Sequence, residues 1–476
     1  MVFNSFEFLL FFPFVTLLYF ALPHKWRWVL LLSASAFFYA YFKIEYLFIL
    51  VFTIIVDYFA GLWIEQTQGK KRKWALIASL VANIGVLAVF KYADFLIGNA
   101  NAVLFKLGAE TYDLLDILLP IGLSFHTFQA MSYTIEVYRG TVPAERNIGK
   151  YALYVMFYPQ LVAGPIERPQ NVIPQFQVVH KFDFQRAKSG LRLMLWGMFK
   201  KVVIADRLAV FVDLVYNDPN SYSGAPLVIA TIFFAIQIYC DFSGYTDIAL
   251  GAARVMGFKL MKNFDRPYFS KSVSEFWKRW HISLSTWFRD YLYIPLGGNR
   301  VPRLRRYFNI FFVFMISGLW HGASWNFVIW GSLHGIYLIF GQLTANIQNK
   351  VIGLLKHPFL IKLAHNLIVL SFVLLAWVFF RANTTADSFY ILKNMFSISS
   401  HSWKEIVDLI GQKELIAGLI AVGIMEGVHW LQRGRDLGVW AETKPKWQQW
   451  AMYYILFISV VFFGVYNNTQ FIYFQF

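Results

Sequence analysis

Two histidines in this chain have the type and placement for proton-transfer chemistry. His321 lies in Ser317-Gly-Leu-Trp-His-Gly-Ala-Ser-Trp325, directly after the apolar run Tyr307–Ile316. His281 lies forty residues upstream, in Phe276-Trp-Lys-Arg-Trp-His-Ile-Ser-Leu-Ser285. An imidazole titrates near physiological pH, so it can take a proton from a hydroxyl and return it within one turnover. An ionisable ring at depth in lipid is costly, so His321 should line a polar cavity or a bundle interior. At about 1.5 Å rise per residue it would lie about 22 Å along a helix from Arg306. Gly318 and Gly322 flank it and remove side-chain bulk, so a substrate or another backbone can approach.

The elements that hold these residues must be membrane elements. The chain of 476 residues is 58% hydrophobic and only 15% charged, with a mean hydropathy of +0.49; a soluble domain has a different balance. Apolar runs recur at Phe6–Leu22, Arg27–Phe42, Tyr46–Trp63, Trp74–Phe90, Leu114–Met131, Leu227–Cys240, Phe308–Leu319, Leu363–Phe380, Leu415–Ile424 and Met452–Val465. Spanning needs about 20 residues, and several runs are shorter, so some helices should be tilted, re-entrant or buried in protein. The expectation is an all-α polytopic membrane protein with roughly 10–13 embedded helices, forming one domain over residues 1–476. Phe6–Leu22 lacks the basic segment and the cleavage site of a secretory signal, and reads as the first spanning helix.

The single cysteine, Cys240, excludes an internal disulfide and a thiolate-rich metal centre. No Walker, dinucleotide-binding or His-Glu-x-x-His pattern is present, which argues against an ATP-driven pump and a zinc protease. No metal, tightly bound cofactor or nucleic-acid partner is expected. Basic residues set the orientation. Lys70-Lys-Arg-Lys73 and the His24, Lys25, Arg27 group should face the cytoplasm. Arg433, Arg435, Lys444 and Lys446 precede the last run, so both termini should lie outside.

From Arg254 to Arg306 twelve Lys/Arg stand against Asp265, Glu275 and Asp290. This segment has no clean spanning run and should lie on the cytoplasmic side or dip in from it. Ser272 and Glu275 form a capping-box pattern. The helix after them would place Phe276, Trp280, Leu284, Trp287 and Tyr291 near one stripe and end at Pro295 and Gly297-Gly298. Attraction to anionic headgroups accounts for the basic residues; field focusing would also favour an anionic cytosolic donor such as a coenzyme A thioester.

Of the ten histidines, His24, His180, His357 and His401 read as surface residues, and His126, His365 and His429 as satisfied core residues. His334, in Trp330-Gly-Ser-Leu-His-Gly335, lies thirteen residues after His321. On one continuous helix the two would differ by about 220°, so His334 reads as structural. Pro159 and Gly164-Pro165 suggest a broken or re-entrant helix, tolerable only against protein or water.

At these residues the chain resembles the membrane-bound O-acyltransferase family, in its alginate O-acetyltransferase (AlgI-like) branch. Glu275–Arg300, Gly318–Trp325 and Tyr158–Ile166 carry the match; Asp241–Asp247, Leu119–Phe125 and Phe471–Phe476 are also similar. The resemblance implies a ring of irregular helices around a central tunnel, a catalytic histidine at His321 and a second signature histidine at His281. It implies an O-acetyltransferase of the bacterial cytoplasmic membrane. Such an enzyme passes acetyl groups from acetyl-CoA, or another cytosolic acyl thioester, to an exported polysaccharide such as alginate, cellulose or peptidoglycan. It also implies a separate extracytoplasmic serine-dependent (SGNH-type) acetyltransferase partner.

His321 would then be the general base or a transient acyl carrier, and His281 a positioning or donor-side group. Tyr473 is a candidate phenolic acyl acceptor in a mobile tail, or an aromatic interfacial anchor. Asp241, Tyr245, Asp247, Trp320 and Asn326 are candidates for the tunnel lining; helix termination or hydrogen bonding between helices explains the 241–247 group as well. Transfer of another acyl group, such as D-alanine to teichoic acid, follows the same histidine logic. A proton-coupled transporter would be expected to show an internal repeat, and no clear duplication is visible.

Overall fold

The computed structural model describes residues 1–162, 164–353, 357–433, 440–441, 443–466 and 471–472. Those residues form helices joined by turns and coil, without a strand. Among the described residues six helices are long and apolar enough to cross a membrane: Glu45–Gln66, Gly69–Lys106, Ala225–Met256, Trp325–Gln348, Pro358–Arg381 and Gln412–Leu431. Phe6–Ala21 is a shorter apolar helix. The chain packs as two compact units, residues 1–194 with 248–261, and residues 195–247 with 262–476.

In the first unit polarity runs from inside to outside in the opposite sense to a soluble bundle. Along Glu45–Gln66 the exposed face carries Phe48, Phe52, Ile55 and Phe59, while Asp57 and Thr53 are buried. Lipid wets the apolar face at no cost, so the polar groups must find partners inside. Asp57 Oδ1 accepts from Ser79 Oγ at 2.6 Å, Asn83 Nδ2 donates to both carboxylate oxygens at 2.9 Å, and Ser79 Oγ lies 2.9 Å from Thr134 Oγ1. These bonds tie three helices together. Gly61 permits the closest approach, since a Cβ there would sit 2.7 Å from the Tyr133 ring.

The break expected at Pro159 and Gly164 is present. Ile148–Met156 stops, Tyr158–Leu161 forms one turn, and residues 164–168 are non-helical and buried in protein. Side chains and backbone supply the partners that this backbone needs at depth. The Tyr158 N–H donates to Ser35 Oγ at 3.0 Å, and Tyr154 Oη donates to the Glu167 carbonyl at 3.0 Å, with the Gln129 carbonyl at 3.2 Å.

The apolar run Leu114–Met131 does not form one helix. Its first part is exposed coil and the helix begins only at Leu123, after Gly122 with φ 76°. Side chains of the preceding helix take the place of a helical ladder. Asn101 exchanges two bonds with Tyr112 at 2.7 and 2.8 Å, and Asp94 accepts the Leu115 N–H at 2.7 Å. Counting apolar residues could not anticipate that competition.

Candidate active site

His321 occupies the last turn of the Arg303–His321 helix and is 4% exposed. The chain turns over a few residues and returns as Trp325–Gly353. Glycines set how closely the two helices run. A Cβ on Gly318 would meet the Phe327 carbonyl at 2.1 Å, one on Gly331 the Phe314 carbonyl at 2.2 Å, and one on Gly335 the Phe311 Cα at 3.1 Å. The order of these pairs makes the hairpin antiparallel. Its tight fit presses the His321 ring among Trp320, Trp330 and Phe380, with centroids 4.8, 4.9 and 5.5 Å away.

His281 stands at a break where one amphipathic helix was expected. Val273–Arg279 ends after seven residues, His281 takes the left-handed conformation (φ 42°, ψ 56°), and Ile282–Phe288 starts anew. The capping pattern is half realised: Ser272 Oγ accepts the Glu275 N–H, while the Glu275 carboxylate accepts from Lys271 instead. A left-handed non-glycine residue costs about 1–2 kcal/mol, so its surroundings must impose it. Residues 263–265 do so. The Asp265 N–H donates to the Arg279 carbonyl and the Ile282 N–H to the Asn263 carbonyl, both at 2.9 Å. The expected stripe still packs inward at Phe276, Trp280, Leu284 and Trp287, but on two short helices with Trp280 in the break between them.

Asn263 also fixes the His281 tautomer. Its Oδ1 accepts from the Ser283 N–H at 3.2 Å and from Ser283 Oγ at 2.9 Å, and lies 3.1 Å from His281 Nδ1. A backbone N–H can only donate, so the Asn263 atom is the carbonyl oxygen. Nδ1 therefore carries the proton and the lone pair resides on Nε2. His281 is fully buried and outside the six apolar spans, and burial pushes its pKa down to about 3. It is a neutral ring at any physiological pH.

The structure brings the two predicted histidines together. The Trp320 indole is in ring contact with both, 6.4 Å from His281 and 4.8 Å from His321. His334 continues the series, because Trp330 is 4.9 Å from His321 and 5.1 Å from His334. The expectation that His321 and His334 point apart on one helix is wrong. The chain breaks at Gly322, and the antiparallel return sets both rings against one indole. His334 Nδ1 accepts from Trp277 Nε1 at 3.3 Å.

The other candidates separate by their contacts. The helix continues through Asp241, Tyr245 and Asp247 to Met256, so these residues do not terminate it. Asp241 Oδ1 pairs with Lys201 Nζ at 2.7 Å and Asp247 with Lys200 Nζ at 2.7 Å; Tyr245 stacks on Phe471 at 4.4 Å. Asn326 is buried and tied into the fold, donating to the Ala382 carbonyl at 2.8 Å. Tyr473 lies outside the described residues. Cys240 is buried beside Met425 Sδ at 3.3 Å. His180, read as a surface residue, is half-buried: its ring packs 4.9 Å from Phe258 and bonds the Gln175 carbonyl at 3.1 Å. His429 is a core residue bonded to Tyr239 Oη at 3.1 Å, as read from the sequence.

Asn263, Lys200 and Lys201 escaped the sequence reading. Asn263 belongs to no spacing pattern that could have marked it. The lysine pair had a signal, since two cations inside Met198-Phe-Lys-Lys-Val-Val-Ile204 require buried carboxylates somewhere in the chain.

The profile of the membrane-bound O-acyltransferase family matches residues 145–381, a stretch that contains both histidines and Trp320. The chain is 39% identical to the probable alginate O-acetylase AlgI of Pseudomonas aeruginosa over 412 residues, 85% of this chain and 77% of that protein. It is 37% identical to the peptidoglycan O-acetyltransferase of Helicobacter pylori over 408 residues, 80% of this chain and 75% of that one. Similarity to the teichoic acid D-alanyltransferase of Streptococcus thermophilus is 30% over 267 residues, 52% of this chain and 63% of that protein. Likeness of this extent, over a helical membrane chain that buries two histidines beside one indole, makes this protein a multi-pass member of the membrane-bound O-acyltransferase family and an O-acyltransferase.

Proposed function

We propose that the protein is an O-acetyltransferase of the bacterial cytoplasmic membrane that moves acetyl groups from a cytosolic thioester to an exported polysaccharide. The observation that supports this reading is the pair of buried histidines, His281 and His321, both in ring contact with Trp320. In the proposed step His321 accepts the proton of an acceptor hydroxyl, and the oxygen attacks the thioester carbonyl. The carbon–sulfur bond then breaks, and the imidazolium returns its proton to the departing thiolate. His281, with Nδ1–H held by Asn263, presents its lone-pair nitrogen from a fixed position on the donor side. The basic segment 254–306 draws an anionic donor such as acetyl-CoA to the cytoplasmic side.

Residues 1–476 work as one membrane domain in this reading, with both termini outside. An extracytoplasmic serine-dependent partner completes transfer to the glycan, and Tyr473 is the proposed relay. Acetyl is favoured over D-alanyl because the likeness to the D-alanyltransferase covers only half of this chain. Mass analysis of the surface glycan from cells with and without the gene tests the reading: O-acetyl groups should vanish with the chain. Unchanged acetylation, or loss of D-alanyl esters instead, would replace it. Tyr473→Phe with normal acetylation would remove the relay.

A further inference from the structure

Phe471 and Ile472 are buried in the unit that holds the histidines, at 0% and 3% exposure. A charged network holds them there. The Ile472 N–H donates to Asp241 Oδ2 at 2.8 Å, while Asp241 Oδ1 pairs with Lys201 Nζ at 2.7 Å. Lys201 also pairs with Asp206 at 2.8 Å, and its neighbour Lys200 with Asp247 and Ser243. Both lysines sit in a π-helical turn, Phe199–Ala205, a local winding found often at functional positions.

Burying a lysine with two carboxylates is expensive, and apolar residues of the same volume would stabilise a fold at least as well. What this arrangement specifies is the location of residues 471 and 472. Its consequence reaches the site in two contacts. Phe471 stacks on Tyr245 at 4.4 Å and lies 5.8 Å from Phe242, and Phe242 meets His281 edge to face at 4.7 Å and 85°. Asn263 holds His281 through its ring nitrogen; Phe242, backed by Phe471, holds it by a T-shaped ring contact.

We propose that Lys201, Asp241 and Phe471 form a latch of positioning residues that sets His281 for acyl transfer, acting through Phe242. The latch rests on the reading that His281 serves the transfer. Its test is the steady-state release of coenzyme A from acetyl-CoA by the full chain in its membranes. The variants are Phe471→Ala, Phe471→Leu, Asp241→Ala and Asp241→Asn, all with Tyr473 intact. Phe471→Ala and Asp241→Ala should lower kcat by about 100-fold, the scale of a 1 Å misplacement, with the KM for acetyl-CoA within about twofold. Asp241→Asn keeps an oxygen for the Ile472 N–H and Phe471→Leu keeps bulk beside Phe242, so both should recover much of the rate. If Asp241→Ala fails to fold, Phe471→Ala, which leaves the charged groups intact, carries the test. A Phe471→Ala chain with the wild-type kcat, or with a raised KM alone, overturns the latch while leaving O-acetyl transfer in place. A wild-type chain that releases no coenzyme A overturns both.

Discussion

Gly318→Ala should disable the enzyme without unfolding it. The alanine Cβ would lie 2.1 Å from the Phe327 carbonyl oxygen and 3.1 Å from Gly331 Cα, where ordinary contact begins at 3.4 Å. Both neighbours are backbone atoms of the facing helix, so no side chain can swing away. The shortfall, about 1.3 Å, must be met by separating the two helices, because a close-packed interior has no slack to absorb it. His321 is one turn further along the same helix. Overpacking of this kind costs about 1–3 kcal/mol, which a folded chain survives, whereas a misplacement of about 1 Å costs about 100-fold in rate. Gly341→Ala is the matched control: it lies on the Trp325–Gly353 helix with nothing within 4 Å of its Cβ. It should be neutral or stabilising by up to about 1 kcal/mol. Coenzyme A release and thermal unfolding, measured on both variants in membranes, give the comparison. A Gly318→Ala enzyme with kcat within about threefold of wild type would refute the claim that hairpin spacing positions His321.

Asn263→Ala removes the acceptor of His281 Nδ1–H and of two Ser283 groups. Each orphaned buried donor costs about 1–3 kcal/mol, so the melting temperature and kcat should fall together, and Asn263→Asp, which keeps the oxygen, should recover part of both. His281 binds its proton only near pH 3 when folded but near 6.5 when unfolded. Below about pH 6.5 the unfolded chain gains a proton that the folded chain refuses, so stability should drop by about 1.4 kcal/mol per pH unit on acidification. Melting temperatures from pH 7 to 5 should carry this slope added to that of the other buried histidines, and His281→Gln should make the fall shallower by the His281 share; equal slopes contradict the burial argument. Glu167 titrates with the opposite sign. Burial pushes its pKa up to about 7 from 4.5, so the stability it contributes is lost as pH rises through that window. Glu167→Gln should therefore raise the melting temperature at pH 8 and change it little at pH 4, and a uniform shift would disprove the assignment.

The membrane class and the burial of the two histidines were legible because they depend on composition and on residue type at depth, which need no partner to interpret. The broken helix at Pro159 and Gly164 was legible for a similar reason, since proline and glycine act locally. What could not be read were features decided by residues distant in sequence. The turn at His281 is imposed by Asn263, and nothing in the pattern from Ser272 to Tyr291 reveals it. The face shared by His321 and His334 depends on a hairpin closed by Gly318, Gly331 and Gly335. Periodicity alone treated that segment as one rod. The pairing of Asp241 and Asp247 with Lys201 and Lys200 was open to inference from charge balance, but which lysine meets which carboxylate was not.

Single-turnover transfer of labelled acetyl from acetyl-CoA, compared between wild type and His321→Ala, tests the central claim most directly. The account predicts that the variant folds and binds acetyl-CoA as wild type does, yet transfers about 10²–10⁴-fold more slowly, the range of a lost general base. Transfer at the wild-type rate by His321→Ala would contradict it.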